Sequence, residues 1–162
     1  MSWVALIILT VVTVQRHAEL WLSNRNTRRL LDQGAVEVGR SHYSLIVAVH
    51  IAWLAMLWWL APGQPINWPL IAIFVLLQFA RLWVIATLGP RWTTRIIVLP
   101  GAPLVRAGPY RFVDHPNYLI VALEIAVLPF AFGLVTWAIV FSLLNAAVLT
   151  IRIRAENLAL GR

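Results

Sequence analysis

A chain of 162 residues that is 61% hydrophobic carries more apolar surface than one soluble core absorbs, so a bilayer is expected to solvate much of it. Cysteine is absent, which excludes disulfides, thiolate-bound zinc and a thiol nucleophile. The formal charge of +7 comes from 13 basic residues, all arginine, and these flank apolar runs, so they read as a topology signal and not as a nucleic-acid surface.

A bilayer core takes about 20 helical residues to cross. The first expected span runs from Ser2 to about Leu22. It lacks a basic segment before it and a small-x-small site after it, so it reads as a retained helix and not as a cleaved signal peptide. Arg16, His17 and Glu19 fall inside it. Charges at such depth face a bundle interior or a watery cavity, and Arg16 and Glu19, three apart, can pair with each other. The 23–42 connection follows, with Arg25, Arg28, Arg29 and Arg40. Tyr43–Ala61 is the second span and contains His50; the uncharged stretch APGQPIN ends it. Trp68–Leu88 is the third, and Arg81 lies near enough to its end to snorkel.

The 89–116 connection carries Arg91, Arg95, Arg106 and Arg111. The run from Asn117 to Ile151 is too long for one crossing, and Phe132-Gly133 near its middle marks a tight hairpin between two short spans. Glu124 and Asn145 sit within them, and Arg152, Arg154 and Arg162 follow in the tail. With five spans, every arginine-bearing segment falls on one face, which the positive-inside rule makes cytoplasmic, with the N-terminus outside. The expected fold is one all-α integral membrane domain over residues 1–162, about five transmembrane helices with a cytoplasmic turn and tail. The four histidines are scattered over separate segments without metal-ligand spacing, so no metal site is expected.

The stretch GPYRFVDHPNYLIVALEIAVLPF, residues 108–130, changes character halfway. Gly108-Pro109 makes a turn, Pro116 starts a helix where its missing N–H costs nothing, and Asp114 or His115 is placed to cap it. His115, Asn117 and Tyr118 then stand at the cytoplasmic mouth of span four, where free backbone N–H groups favour an anionic or carboxylate-bearing ligand. Glu124 is about 9 Å deeper by helical rise. Turn and carboxylate are expected to line one shaft from the cytosol into the membrane, a geometry suited to a water-soluble cofactor and a lipid-soluble acceptor. In the tail, Arg152 and Glu156 are i and i+4. They form either a surface ion pair or a site in which Glu156 binds a cofactor group opposite His115.

GPYRFVDHPNYLIVALE followed by RIRAEN resembles the isoprenylcysteine carboxyl methyltransferase family, and most closely its small bacterial branch. The similarity extends upstream through RWTTRIIVLPGAPLVRAGPYR and QRHAELWLSNRNTRRLLDQGAVEVGRSHY. The resemblance implies S-adenosylmethionine as methyl donor, with S-adenosylhomocysteine as product, bound between the 105–118 turn and the tail. It implies His115, Pro116, Tyr118 and Glu156 as cofactor contacts, Tyr110 and Arg111 as residues shaping the turn, and Asn157 as a cofactor-binding position. Two positions depart from the family pattern: Asp114 replaces an Arg, and Asn157 replaces the second Glu of the tail.

Methyl transfer from a sulfonium is an in-line displacement with a good leaving group, so alignment and exclusion of water matter most. An arginine near the attacking oxygen would orient it. Arg81, Arg111 and Arg152 are the candidates, with Arg152 first for its place in the tail motif; Glu124 would position the acceptor or an arginine. The arginine-only, Ala- and Leu-rich composition suggests a GC-rich bacterial genome, and the expected location is the bacterial cytoplasmic (inner) membrane. The small bacterial branch implies a lipophilic acceptor such as the hydroxyl of a long-chain alkylpyrone or alkylresorcinol. The alternatives are the carboxylate of a prenylated cysteine, a nicotinamide-dependent membrane reductase, for which the chain is short, and a non-catalytic packing protein.

Overall fold

Five α-helices and a two-stranded ribbon account for the regular structure in the computed structural model, which describes residues 3–161. Ser2, at the expected start of the first span, and Arg162 lie outside the described residues. The helices are α1 (Trp3–Asp32), α2 (Arg40–Leu60), α3 (Trp68–Leu88), α4 (Pro116–Ala131) and α5 (Val135–Ala159), and the strands are β1 (Val36–Val38) and β2 (Ile96–Val98). Four helices, α1, α2, α3 and α5, are long and apolar enough to cross a membrane, which fits an integral membrane protein.

The C-terminal ends of α1 and α5 differ most from the expectation. The helix α1 does not stop near Leu22: the polar stretch 23–32 holds no proline or glycine, so the helix continues until Gly34 turns it at φ +87°. At 30 residues it is about 45 Å long, so its last turns outrun a bilayer core of about 30 Å. There Asn26 Nδ2 donates to the Gly89 and Trp92 carbonyls at 3.2 and 2.8 Å. Only α4, with 16 residues, is short. Its partner α5 has 25 and absorbs the tail motif into its last turns. The hairpin between them does fall at Phe132-Gly133, where Gly133 takes φ +69° and Leu134 N–H closes onto the Pro129 carbonyl at 2.9 Å.

The uncharged connections meet at one end of the bundle, where Asn67 N–H donates to the Ala131 carbonyl at 2.8 Å. At the arginine-rich end, β1 and β2 pair antiparallel, Glu37 opposite Ile97, and join two connections that are far apart in sequence. The apolar core lies between α1, α2, α3 and α4 around Leu9, Trp53, Leu57, Phe74, Ile125 and Leu128. Trp53 Nε1 donates to the Ile125 carbonyl at 3.1 Å, so this buried indole satisfies its polar atom.

Half-way along the bundle the charges of three helices converge. Arg81 of α3 does not snorkel. Its Nε and Nη2 form a two-pronged contact with Glu19 of α1, both at 2.6 Å, and its Nη1 donates to Glu124 of α4 at 3.0 Å. Arg16 bridges the same carboxylates, at 3.1 Å to Glu19 and 2.7 Å to Glu124. Gln78 donates to the other Glu124 oxygen at 2.9 Å. Gln15 donates to Glu19 at 3.0 Å and to Gln78 at 2.8 Å. Two cations and two anions cancel, and the hydrogen bonds fill most of their valences, as a low-dielectric interior demands.

Candidate functional site

The turn at Gly108–Arg111 sits against the end of α3 because residue 108 is glycine. Its φ is +53°, and a Cβ there would come within 2.5 Å of Thr87 Oγ1 and 3.2 Å of Trp83 Nε1. Helix α4 starts with Pro116 at its first position and His115 as its N-cap residue, but the His115 ring makes no capping bond. Its Nε2 donates instead to Asn157 Oδ1 on α5 at 2.9 Å, and the ring stacks on Tyr118 with centroids 5.4 Å apart.

Tyr118 is where the two motifs join. Its hydroxyl donates to Glu156 Oε2 and accepts from Arg152 Nε at 2.8 Å. Arg152 also lies over the Tyr118 ring, 5.4 Å from its centroid, and its Nη2 donates to the Thr94 carbonyl. Arg152 and Glu156 therefore meet through a tyrosine and not as an isolated surface pair, and Arg152 is buried. Thr94 is held in turn: its N–H donates to Ser23 Oγ at 2.8 Å, and its hydroxyl contacts Ser23 and Tyr43 at 2.8 and 3.1 Å.

Two cavities flank this knot. One, of about 220 Å³, opens at the arginine-rich end and is lined by Arg91, Arg95 and the 97–105 loop with Tyr110, His115 and Glu156. Arg91 Nη1 holds the loop by donating to the Pro103 carbonyl at 2.7 Å. Burial and then the Glu156 charge push the Tyr110 phenol above the ordinary tyrosine value, so it stays a neutral hydrogen-bond donor. The second cavity, of about 260 Å³, lies deeper, between α1, α2, α4 and α5, with walls of Ile46, Val47, Leu54, Val121 and Leu149. Two of its lining residues, Leu20 and Ile51, are exposed. Trp92, Asn117, Tyr118 and Arg152 line both cavities. They are the common wall.

Of the residues named from the sequence, Tyr110, His115, Tyr118, Glu156 and Arg152 come together on the first cavity. Pro116 is buried at the start of α4, and Asn157 reaches the site through His115. Arg111 points away, exposed. Glu124 is fully buried and lines neither cavity, so the expected shaft bypasses it; what stands at the deep end is Arg16, Glu19 and Arg81. Trp92, Thr94 and the 99–105 loop that follows β2 were missed, because an irregular segment has no periodicity to read.

Three comparisons bear on this arrangement. The family model of the isoprenylcysteine carboxyl methyltransferase (ICMT) family matches residues 70–162, which contain the turn, α4, α5 and the common wall. The chain is similar to the uncharacterized protein YpbQ of Bacillus subtilis (strain 168), 38% identical over 159 residues that cover 95% of each chain. It is similar also to an uncharacterized protein of Haemophilus influenzae, 26% identical over 110 residues, 65% of this chain and 64% of that one. No solved structure matches.

Proposed function

The chain belongs to the isoprenylcysteine carboxyl methyltransferase family, and from that premise we propose that it is an S-adenosylmethionine-dependent O-methyltransferase of the membrane. Its acceptor is the acidic hydroxyl of a long-chain lipid such as an alkylpyrone or alkylresorcinol. The observation that carries this reading is the common wall: a cavity of mixed charged and apolar lining, open to the arginine-rich end, and an apolar one within the bundle share Tyr118 and Arg152.

The residues of the first cavity fit the donor's chemistry. Glu156 offers a carboxylate to an ammonium or ribose hydroxyl, Arg91 and Arg95 offer guanidinium groups to a carboxylate, and Ile97, Leu99 and Leu104 offer apolar surface to an adenine. When bound, the donor supplies an electrophilic methyl on a sulfonium. Tyr110 presents an aromatic ring suited to a cation. On the other side of the wall Arg152 orients the acceptor oxygen and favours its anionic form, and the apolar walls exclude water. An alkyl chain suits these walls better than a peptide does, which favours a lipid hydroxyl over a prenylated cysteine.

Donor affinity should fall by about ten- to a hundredfold in His115→Ala and in Glu156→Ala, the range for losing a charged hydrogen-bond partner. Titration of S-adenosylmethionine into each folded variant checks this, and unchanged affinity in both removes the donor from this cavity. We also propose that the arginine-rich end is cytoplasmic. A tag fused at the C-terminal end is then expected to be cleaved by protease only in inverted vesicles; cleavage on intact cells contradicts that orientation.

A further inference from the structure

The apolar cavity ends, at mid-bundle, against polar groups for which an alkyl chain has no use. Arg16, His17, Glu19, His50 and Arg81 line it there. Arg81 is fully engaged, with all three of its nitrogens bonded to carboxylates. Arg16 is not: its Nη1 and Nη2 each hold one carboxylate, its Nε is buried without a partner, and its side chain is 15% exposed. The expected pairing of Arg16 with Glu19 therefore explains only part of its position.

His50 faces the same cavity from α2. Its Nδ1 lies 2.7 Å from the Ile46 carbonyl, which can only accept, so Nδ1 carries the proton. In the neutral ring this leaves Nε2 as an acceptor. On α1 His17 repeats the device with the Thr13 carbonyl at 2.8 Å. Both rings have the tautomer fixed by their own helix.

We propose that this end of the cavity is a hydroxyl-binding subsite, in which Arg16 donates to, and His50 Nε2 accepts from, a second hydroxyl of the acceptor. A hydroxyl is the group that satisfies a donor and an acceptor together. His50 is about 10 Å along α2 from Tyr43, which stands level with the common wall, so the second hydroxyl is distinct from the one methylated beside Arg152. The ring of a dihydroxy lipid bridges the two levels, and its chain leaves past Leu20 and Ile51. The proposal rests on the lipid-acceptor reading of this cavity.

The test compares two lipids of equal chain length, a 5-alkylresorcinol and a 3-alkylphenol, by calorimetric titration into the full chain in detergent without donor. The resorcinol is expected to bind about tenfold more tightly, the effect of one well-placed hydrogen bond. His50→Phe and Arg16→Gln should bring the ratio close to one while leaving phenol affinity and S-adenosylmethionine binding intact. Should Arg16→Gln fail to fold, His50→Phe, which removes only a bond within its own helix, carries the test. Equal affinities in the native protein, a preference that survives His50→Phe, or binding of neither lipid overturns the subsite. Donor titration in the same preparations separates the two claims. A retained preference without donor binding refutes methyl transfer alone, and donor binding without a preference refutes the subsite alone.

Discussion

Arg152→Ala is expected to lower turnover by about 10²-fold, the loss that follows when a group that holds the attacking oxygen in line is removed. The side chain is buried and fixed on three sides: Nε on the Tyr118 hydroxyl, Nη2 on the Thr94 carbonyl, and the guanidinium plane over the Tyr118 ring. Such an arginine is already oriented before the acceptor arrives, so its cost in entropy has been met by folding. Lysine cannot reproduce the planar fork, and Arg152→Lys should recover only a small part of the rate. Because Glu156 still accepts from Tyr118 in the variant, donor affinity should fall much less than turnover. Single-turnover rates at saturating acceptor, set beside donor titrations, check the split. A variant with native turnover would remove Arg152 from the reaction.

The largest loss of stability is expected from Glu124→Ala, about 3–5 kcal/mol, the range for breaking a buried ion pair by removing one partner. Glu124 is fully buried and receives Arg16, Arg81 and Gln78. Without it two guanidinium groups share Glu19 alone, and Arg81 in particular is left buried with one carboxylate fewer. Glu124→Gln keeps the shape and an acceptor but not the charge, so it should fall between. Thermal unfolding in one detergent, with the exposed Arg111→Ala as reference, makes the comparison. If Glu124→Ala unfolds no earlier than that reference, the network contributes nothing to holding α1, α3 and α4 together.

Much of this was legible in the sequence because the bilayer simplifies the code. Trp68–Leu88 was read to the residue, since Asn67 and Pro69 open the helix and Gly89 closes it. The H-P-N-Y turn and the tail were legible as motifs, and their meeting at Tyr118 followed from the hairpin. The extent of α1 is not legible from polarity, because a polar stretch reads as a loop and only the absence of proline and glycine over 23–32 marks it as helix. Nor is the position of the apolar cavity. The small residues of α4 and α5, Ala122, Ala126, Ala146 and Ala147, do not line it, and Ala146 and Ala147 face outwards. Small residues mark close packing as readily as space. The space arises where α1 and α2 part, a property of helix placement that no single segment encodes.

The most direct measurement is transfer of a labelled methyl group. Purified protein in detergent is given S-adenosylmethionine labelled at the methyl and a long-chain alkylresorcinol or alkylpyrone, and the organic phase is counted. The account predicts label in the lipid, bound as a methyl ether, and its near-complete loss in Arg152→Ala. Tight donor binding with all label left in the aqueous phase, for both lipids, would contradict it.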